Sequence, residues 1–214
     1  MIKVLLVDDH ELVRTGIRRI LEEAYDMDVV AEASNGDEAL RKAQQVQPDV
    51  VLMDLNMPGI GGIEATRRIV RSVPEAKVIA LTVLDDDPFP AKLNEAGAMG
   101  YLTKGCPADE MLQAIRMVSG GTPYVASSVA RKHMLADWQG TAATPFEELS
   151  SREMQVAMMI LDGQKTQEIS DGLCLSPKTV STYRQRIYDK LGVKNDVELT
   201  KLAYRHGIIS DTKP

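Results

Sequence analysis

The chain has 214 residues, 44% of them hydrophobic and 26% charged, and a formal net charge of −6. That length favours two modules of ordinary size over one, and the composition is that of a water-soluble protein with enough apolar side chain to build real cores. No run approaches eighteen uninterrupted apolar residues, which excludes membrane spans, and two distant cysteines, Cys106 and Cys174, fit neither a disulfide framework nor a zinc site.

Met1 to Asp9 runs from a short apolar segment straight into acids without a small-residue cleavage pattern, so the chain is expected to stay in the cytoplasm. Residues 1–120 then alternate short β-rich apolar runs with longer stretches of helical period, the pattern of a parallel sheet covered on both faces. Strands are predicted at Lys3 to Val7, Val29 to Ala33, Val50 to Met53, Val78 to Leu81 and Gly100 to Leu102. Between the first two, Leu12, Val13, Ile17, Ile20, Leu21 and Ala24 recur at helical spacing, and similar faces follow in Glu38 to Val46, Ile63 to Val70 and Met111 to Val118. The expected fold of this part is α/β, a doubly wound five-stranded parallel sheet.

Gly120-Gly121-Thr122-Pro123 stops the last of these helices. Residues 121–146 read as a linker with a helical segment near Val129 to Trp138, followed by the small, polar stretch Gln139 to Pro145. Residues 147–214 read as an all-α module of four short helices. Ser150 and Glu153 form a capping box for a helix to Asp162, which stops at Gly163. Thr166 to Leu173 is followed by the turn Cys174-Leu175-Ser176. Ser176-Pro177 then opens a helix to Leu191, and Asn195 with Glu198 caps a last one, Asp196 to His206.

The acid is concentrated in the first module: residues 1–125 carry 13 basic and 20 acidic side chains, residues 145–214 carry 10 of each. Residues 173–194 hold Lys178, Arg184, Arg186, Lys190 and Lys194 against Asp189 alone, which suits an anionic partner.

Asp8 and Asp9 follow the first predicted strand and Asp54 follows the third. In a doubly wound sheet the carboxyl ends of these strands are neighbours at the topological switch point, so the three carboxylates should share one cleft. One acid at a strand end is ordinarily a solvated loop residue. Three together repel unless a cation neutralises them, and an all-oxygen donor set suits Mg²⁺ better than zinc. Thr82 ends the fourth strand and Lys104 follows the fifth, so a hydroxyl and an ammonium point at the same place. A carboxylate flanked by a metal, a hydroxyl and a lysine can carry a phosphoryl group as an acyl phosphate.

Asp8-Asp9, Met53-Asp54-Leu55-Asn56-Met57-Pro58-Gly59, Ala80-Leu81-Thr82 and Tyr101-Leu102-Thr103-Lys104 together resemble the receiver domain of two-component response regulators. The resemblance implies a CheY-like receiver with Asp54 as phosphoacceptor and a sensor histidine kinase as partner. It also implies Asp9 as a direct Mg²⁺ ligand, Asp8 acting through water and Asn56 giving its backbone carbonyl. Lys104 would bind the phosphoryl group, with Thr82 and Tyr101 as the switch pair. Gly59 and Gly62 read equally well as turn residues and receive no chemical role.

In the Pro177 to Leu191 helix, Val180, Tyr183, Ile187 and Leu191 form one stripe that packs on its own module. Lys178, Thr182 and Gln185 lie opposite, with Ser181 at the edge and Arg184 and Arg186 on the flanks. Hydroxyls and an amide can touch base edges in the major groove while lysine and arginine reach phosphates. A solvated amphipathic helix is an even alternative on charge alone. The preceding helix and short turn complete a helix-turn-helix.

Leu149-Ser150-Ser151-Arg152-Glu153, Ile169-Ser170, and Leu175-Ser176-Pro177-Lys178-Thr179-Val180 through Lys190-Leu191-Gly192-Val193 resemble the LuxR-type DNA-binding domain. With the receiver this is the NarL/FixJ class, which implies duplex DNA as partner, a homodimer when active, and DNA contacts among Lys178, Thr179, Ser181, Thr182, Tyr183, Arg184, Gln185 and Arg186. Asp87 to Lys92, Leu173 to Val180 and Asp196 to Thr200 are similar to the GacA/UvrY/SirA subgroup. That similarity implies a BarA/GacS-like hybrid kinase or phosphotransfer domain as phosphate donor, and small regulatory RNA genes as targets.

His10 follows the acidic pair and can be read as a general base or metal ligand, but it is expected to begin the first helix, beside the acidic site and outside its chemistry. His133 and His206 have no companions, and Asp85-Asp86-Asp87 reads as a solvated loop. Two other functions compete: a Mg²⁺-dependent aspartyl-phosphate phosphatase-like enzyme, and a protein-interaction adaptor. Against an enzyme, Asn56 stands two residues after Asp54 where an acid/base aspartate would be needed, so no enzyme activity is expected.

Overall fold

The structure is a computed structural model that describes residues 1–82, 90–126, 144–173, 175–206 and 208–209. They fall into two compact units, the first ending before residue 132 and the second comprising the described residues after it. Asp85 to Asp87, Val129 to Trp138 and the stretch 139–143 lie outside the described residues.

The first unit runs β1 (Ile2–Val7), α1 (Glu11–Glu22), β2 (Met27–Ala33), α2 (Gly36–Val46), β3 (Val50–Asp54), α3 (Gly61–Ser72), β4 (Lys77–Thr82), α4 (Pro90–Ala96), β5 (Gly100–Thr103), α5 (Ala108–Ser119) and β6 (Tyr124–Val125). The sheet order is β2-β1-β3-β4-β5-β6, and every pairing is parallel. One face, carrying Leu5, Val7, Val51, Met53 and Val78, packs on Ala39 and Ala43 of α2 and Ala65 and Ile69 of α3. The alternate residues Val4, Leu6, Leu52, Ile79 and Leu81 are fully buried as well, which is why these strands are continuous apolar runs instead of alternating ones.

The expected sheet had five strands; the structure has six. Tyr124 and Val125, in the segment read as linker, pair with Gly100 and Tyr101. A two-residue strand after Gly-Gly-Thr-Pro has no periodicity to reveal it, and only the exposed edge of β5 gives its amides a partner. Asp54 also ends β3 instead of following it, because its backbone pairs with Leu81.

The second unit has a short 3₁₀ turn (Pro145–Glu148), then α6 (Ser151–Leu161), α7 (Thr166–Gly172), α8 (Pro177–Leu191) and α9 (Asp196–Arg205). Its helix starts are those the sequence signals. Ser150 accepts from Glu153 N and Glu153 reaches back to Ser150 N at 2.7 Å. Ser176 accepts from Thr179 N ahead of Pro177, and Asn195 accepts from Glu198 N. Each such cap supplies about 1 kcal/mol. Lys190 at the end of α8 pairs with the buried Glu153 at 2.6 Å and also bonds Glu148 O, which fixes that end of the helix against α6.

Candidate functional site

The sheet order reverses between β1 and β3, and at their carboxyl ends stand Asp8 and Asp54, both fully buried. Asp9 is one residue further on and partly exposed. Ligand oxygens of Asp8, Asp9 and Asp54 and a ring nitrogen of His10 all lie within 4.8 Å of one another. The Lys104 ammonium, from just beyond β5, stands 2.7 Å from Asp8 Oδ2 and 2.9 Å from Asp54 Oδ2.

Local backbone holds the acids in place. His10 N donates to Asp8 Oδ1 at 2.8 Å, Asn56 N donates to Asp54 Oδ1 at 3.1 Å, and Arg14 Nη1 donates to the Asp8 carbonyl at 2.7 Å. Burial pushes the Asp54 carboxyl up, against the opposing pull of Lys104, while the nearby Asp8 adds to the rise. Burial works against the Lys104 charge, yet Asp8 and Asp54 raise its pKa above the ordinary lysine value. Three carboxylates share the single ammonium of Lys104, so the cluster keeps an excess of negative charge. A hard divalent cation with oxygen ligands fits that excess.

Thr82 ends β4 fully buried, and its carbonyl accepts from Lys104 N at 2.6 Å. Tyr101 on the neighbouring β5 is buried as well. The structure therefore gathers Asp8, Asp9, Asp54, Asn56, Thr82 and Lys104 along one sheet edge, with Tyr101 on the adjoining strand.

Two residues expected to stand outside the chemistry lie against the acids. His10 takes the N-cap position of α1 without a side-chain capping bond, and its imidazole Nδ1 stands 2.8 Å from Asp9 Oδ1 and 3.4 Å from Asp8 Oδ1, inside the acidic cluster. Gly62 lies directly against the Asp54 backbone and admits no β-carbon. The adjacency of His10 to the acid pair was a usable signal; for Gly62 there was none, since a close backbone approach leaves no mark in the sequence.

In the second unit the turn between α7 and α8 is held by Ser170, whose hydroxyl donates to Leu175 O at 2.7 Å and whose carbonyl accepts from Leu175 N at 2.9 Å. Val180, Ile187 and Leu191 of α8 are buried and Tyr183 is half-buried, as the apolar stripe requires. Lys178, Ser181, Thr182, Gln185 and Arg186 are exposed, and Thr179 is half-buried at the first turn. Ser181 and Thr182 donate their hydroxyl protons to Pro177 O and Lys178 O, both at 3.0 Å, so each keeps its oxygen lone pairs for a donor outside the helix. Gln185 Nε2 rests on Asp189 Oδ1 at 2.8 Å.

Arg184 departs from the expected placement. Its side chain is only 19% exposed; it pairs with Asp196 and reaches Thr166 Oγ1 at 3.5 Å, instead of extending along the outer flank of α8.

Comparison with known proteins bears on both units. Residues 4–116 match the response regulator receiver domain family, and residues 147–203 match the bacterial regulatory proteins of the luxR family. The chain is 54% identical over 209 residues to the response regulator GacA of Pseudomonas protegens, covering 98% of each protein. It is 53% identical over 209 residues to the response regulator UvrY of Escherichia coli K12, covering 97% of this chain and 96% of that one. Among solved structures it resembles RcsB of Salmonella enterica serovar Typhimurium bound to promoter rprA with the phosphomimetic BeF₃⁻. The TM-score is 0.67 at 27% identity, over 94% of this chain and 97% of that one.

Proposed function

This chain belongs to the two-component response regulators that join a receiver domain to a LuxR-type DNA-binding domain, and from that premise we propose that Asp54 is its phosphoacceptor and α8 its DNA-reading helix. The chain is a phosphorylation-controlled, DNA-binding regulator of transcription. What supports the residue assignment is the meeting of Asp54 with Asp8, Asp9 and Lys104 at the switch point of the sheet.

An Asp54 carboxylate oxygen attacks the phosphorus of a phosphohistidine on the kinase or phosphotransfer partner. The P–O bond forms as the P–N bond breaks, and the electron pair leaves on the imidazole. Lys104 draws the phosphoryl oxygens toward Asp54, where its charge is matched to their developing negative charge. Asp8, Asp9, Asp54 and the backbone carbonyl of Asn56 would hold Mg²⁺, which supplies further neutralisation of that charge. Thr82 follows the phosphoryl group, Tyr101 follows Thr82, and the face formed by α4 and α5 is remodelled, shifting the population toward DNA-competent chains.

On DNA, Lys178 and Arg186 reach phosphates, while Ser181, Thr182 and Gln185 face base edges, with Thr179 and Tyr183 beside them. Active chains pair as homodimers, since one helix covers a single half-site. The resemblance to the GacA/UvrY subgroup favours a BarA/GacS-like hybrid kinase or its phosphotransfer domain as donor, and small regulatory RNA genes as targets. No described helix is long and apolar enough to cross a membrane, in keeping with action in the cytoplasm. The relatives are named as response regulators, which favours a regulator over a turnover enzyme.

Incubation with acetyl phosphate and Mg²⁺ should add one phosphate to the native chain and none to Asp54→Asn, read by intact-mass spectrometry. Labelling that survives in Asp54→Asn overturns the assignment. Binding to duplex DNA should weaken steeply with salt; salt-independent binding would point to a protein-interaction adaptor.

A further inference from the structure

Arg184 and Tyr188 lie one turn apart on α8, and both reach the same carboxylate. Arg184 Nη2 holds Asp196 Oδ2 and the Tyr188 hydroxyl donates to Asp196 Oδ1. Asp196 is the first residue of α9, so the two side chains grip the start of the last helix from the recognition helix. Arg184 Nη1 also reaches Thr166 Oγ1, at the first residue of α7. One guanidinium therefore bridges three helices. Burial works against its charge, but Tyr188 and Asp196 raise its pKa, so it stays a cation at this junction.

No other ion pair joins α8 to α9 among the described residues; Lys190, in the last turn of α8, pairs with Glu153 of α6 instead. α8 and α9 both pack on α6, and Arg184 and Tyr188 add a direct polar link from α8 to Asp196 at the start of α9. On its outer side α9 exposes Val197 and Tyr204, two large apolar side chains seven residues apart and so on one helical face.

We propose that Arg184 and Tyr188 are positioning residues that touch no DNA: through Asp196 they set the angle between the reading helix and the last helix, and so fix the half-site spacing that a pair of chains accepts. The inference rests on the reading of α8 as the DNA-reading helix and of the active form as a homodimer. In a two-fold pair, the separation of the two reading helices follows from how each is oriented to the helix that makes the pairing. A guanidinium fork and a phenol on one carboxylate fix that orientation more narrowly than apolar packing, because both bonds are directional.

The test uses the full-length phosphorylated chain and a palindromic duplex selected by the native chain from a random library. Three versions are compared: the selected spacing, and the same half-sites with one base pair added or removed. Binding is measured at several salt concentrations for the native chain, Arg184→Gln and Tyr188→Phe, the last removing a single hydroxyl and so preserving the fold. The native chain should prefer its selected spacing. Both variants should lower that preference by about threefold or more, within the range of coupling between contacting groups. Their affinity for an isolated half-site and their salt slope should stay native.

A salt slope reduced by about one unit in Arg184→Gln would make Arg184 a phosphate contact and overturn the proposal. Native spacing preference in Tyr188→Phe would overturn it too, as would an equal loss at all three spacings, which marks a loss of stability alone. A native chain that binds no duplex, or binds every spacing equally, would instead fail the underlying reading and the inference with it.

Discussion

Gly62, at the second residue of α3, is pressed against the strand end that carries Asp54. A β-carbon placed on it would stand 2.0 Å from the Asp54 carbonyl oxygen and 2.7 Å from Leu55 Cα. Both atoms belong to backbone, so nothing flexible can yield. Gly62 N donates to Leu55 O at 3.2 Å, which ties the start of α3 to the segment after β3. Its left-handed neighbours Gly59 and Gly61 need glycine for their positive φ, whereas Gly62 needs it for closeness.

Gly62→Ala should therefore displace Asp54, costing about 1–3 kcal/mol in stability by overpacking and slowing phosphorylation by acetyl phosphate. The control is Gly16→Ala in α1, where a β-carbon meets nothing within 4 Å. That change should stabilise by about 0.5–1 kcal/mol, because alanine loses less backbone freedom in a helix. Thermal unfolding of both variants decides: a Gly62→Ala chain as stable and as quickly phosphorylated as the native one contradicts the packing argument.

Thr82 and Tyr101 are buried on adjacent strands, with Thr82 sharing a backbone bond with Lys104. Thr82→Ala should still accept one phosphate at Asp54, since no carboxylate or cation is removed. Its DNA affinity should respond less to that phosphate than the native chain's does. The ratio of affinities with and without acetyl phosphate measures this, and an unchanged ratio would place the switch elsewhere.

Lys178 and Gln185 are both exposed on α8 but differ in chemistry. Lys178→Ala should weaken specific and scrambled duplexes alike and reduce the salt slope by about one unit. Gln185→Ala should cost about 1–3 kcal/mol against the preferred sequence only. Equal weakening of both duplexes by Gln185→Ala would mean that the helix enters the groove in a different orientation.

Glu38 accepts from Ser34 N and Ser34 Oγ, at 2.8 and 2.9 Å, and pairs with Lys42 at 2.8 Å. Lys42 first, then the Ser34 amide, hold its carboxyl down at about 2, below the ordinary 4.5. A depressed carboxyl stabilises the fold above its unfolded pKa, and that contribution is lost as pH falls through the folded value. Between pH 4.5 and 2 the native chain should lose stability, and Glu38→Gln should lose less over the same interval. Denaturation midpoints across that interval test it; parallel curves would remove Glu38 from the acid response.

The alternation of strands and helices, the acids at the strand ends and the four helices of the second unit were legible in the sequence because each is a local signal. Hydrophobic period, a cap three residues from its partner and a proline at a first turn are all set within a few positions. The acidic cluster followed in turn, because a doubly wound sheet places the ends of its first and third strands together whatever the details.

Tertiary structure alone decided what depends on long reach. β6 forms because the edge of β5 offers Gly100 and Tyr101 as partners, not because residues 124–125 carry a strand pattern. Arg184 shares the composition and spacing of a DNA-contacting flank, yet it turns to Asp196, twelve residues on, and to Thr166, eighteen residues back. A long cationic side chain goes to whichever anion the fold brings within its reach, and helix periodicity, which fixes only where the Cα–Cβ bond points, leaves that choice to the packing of α7, α8 and α9.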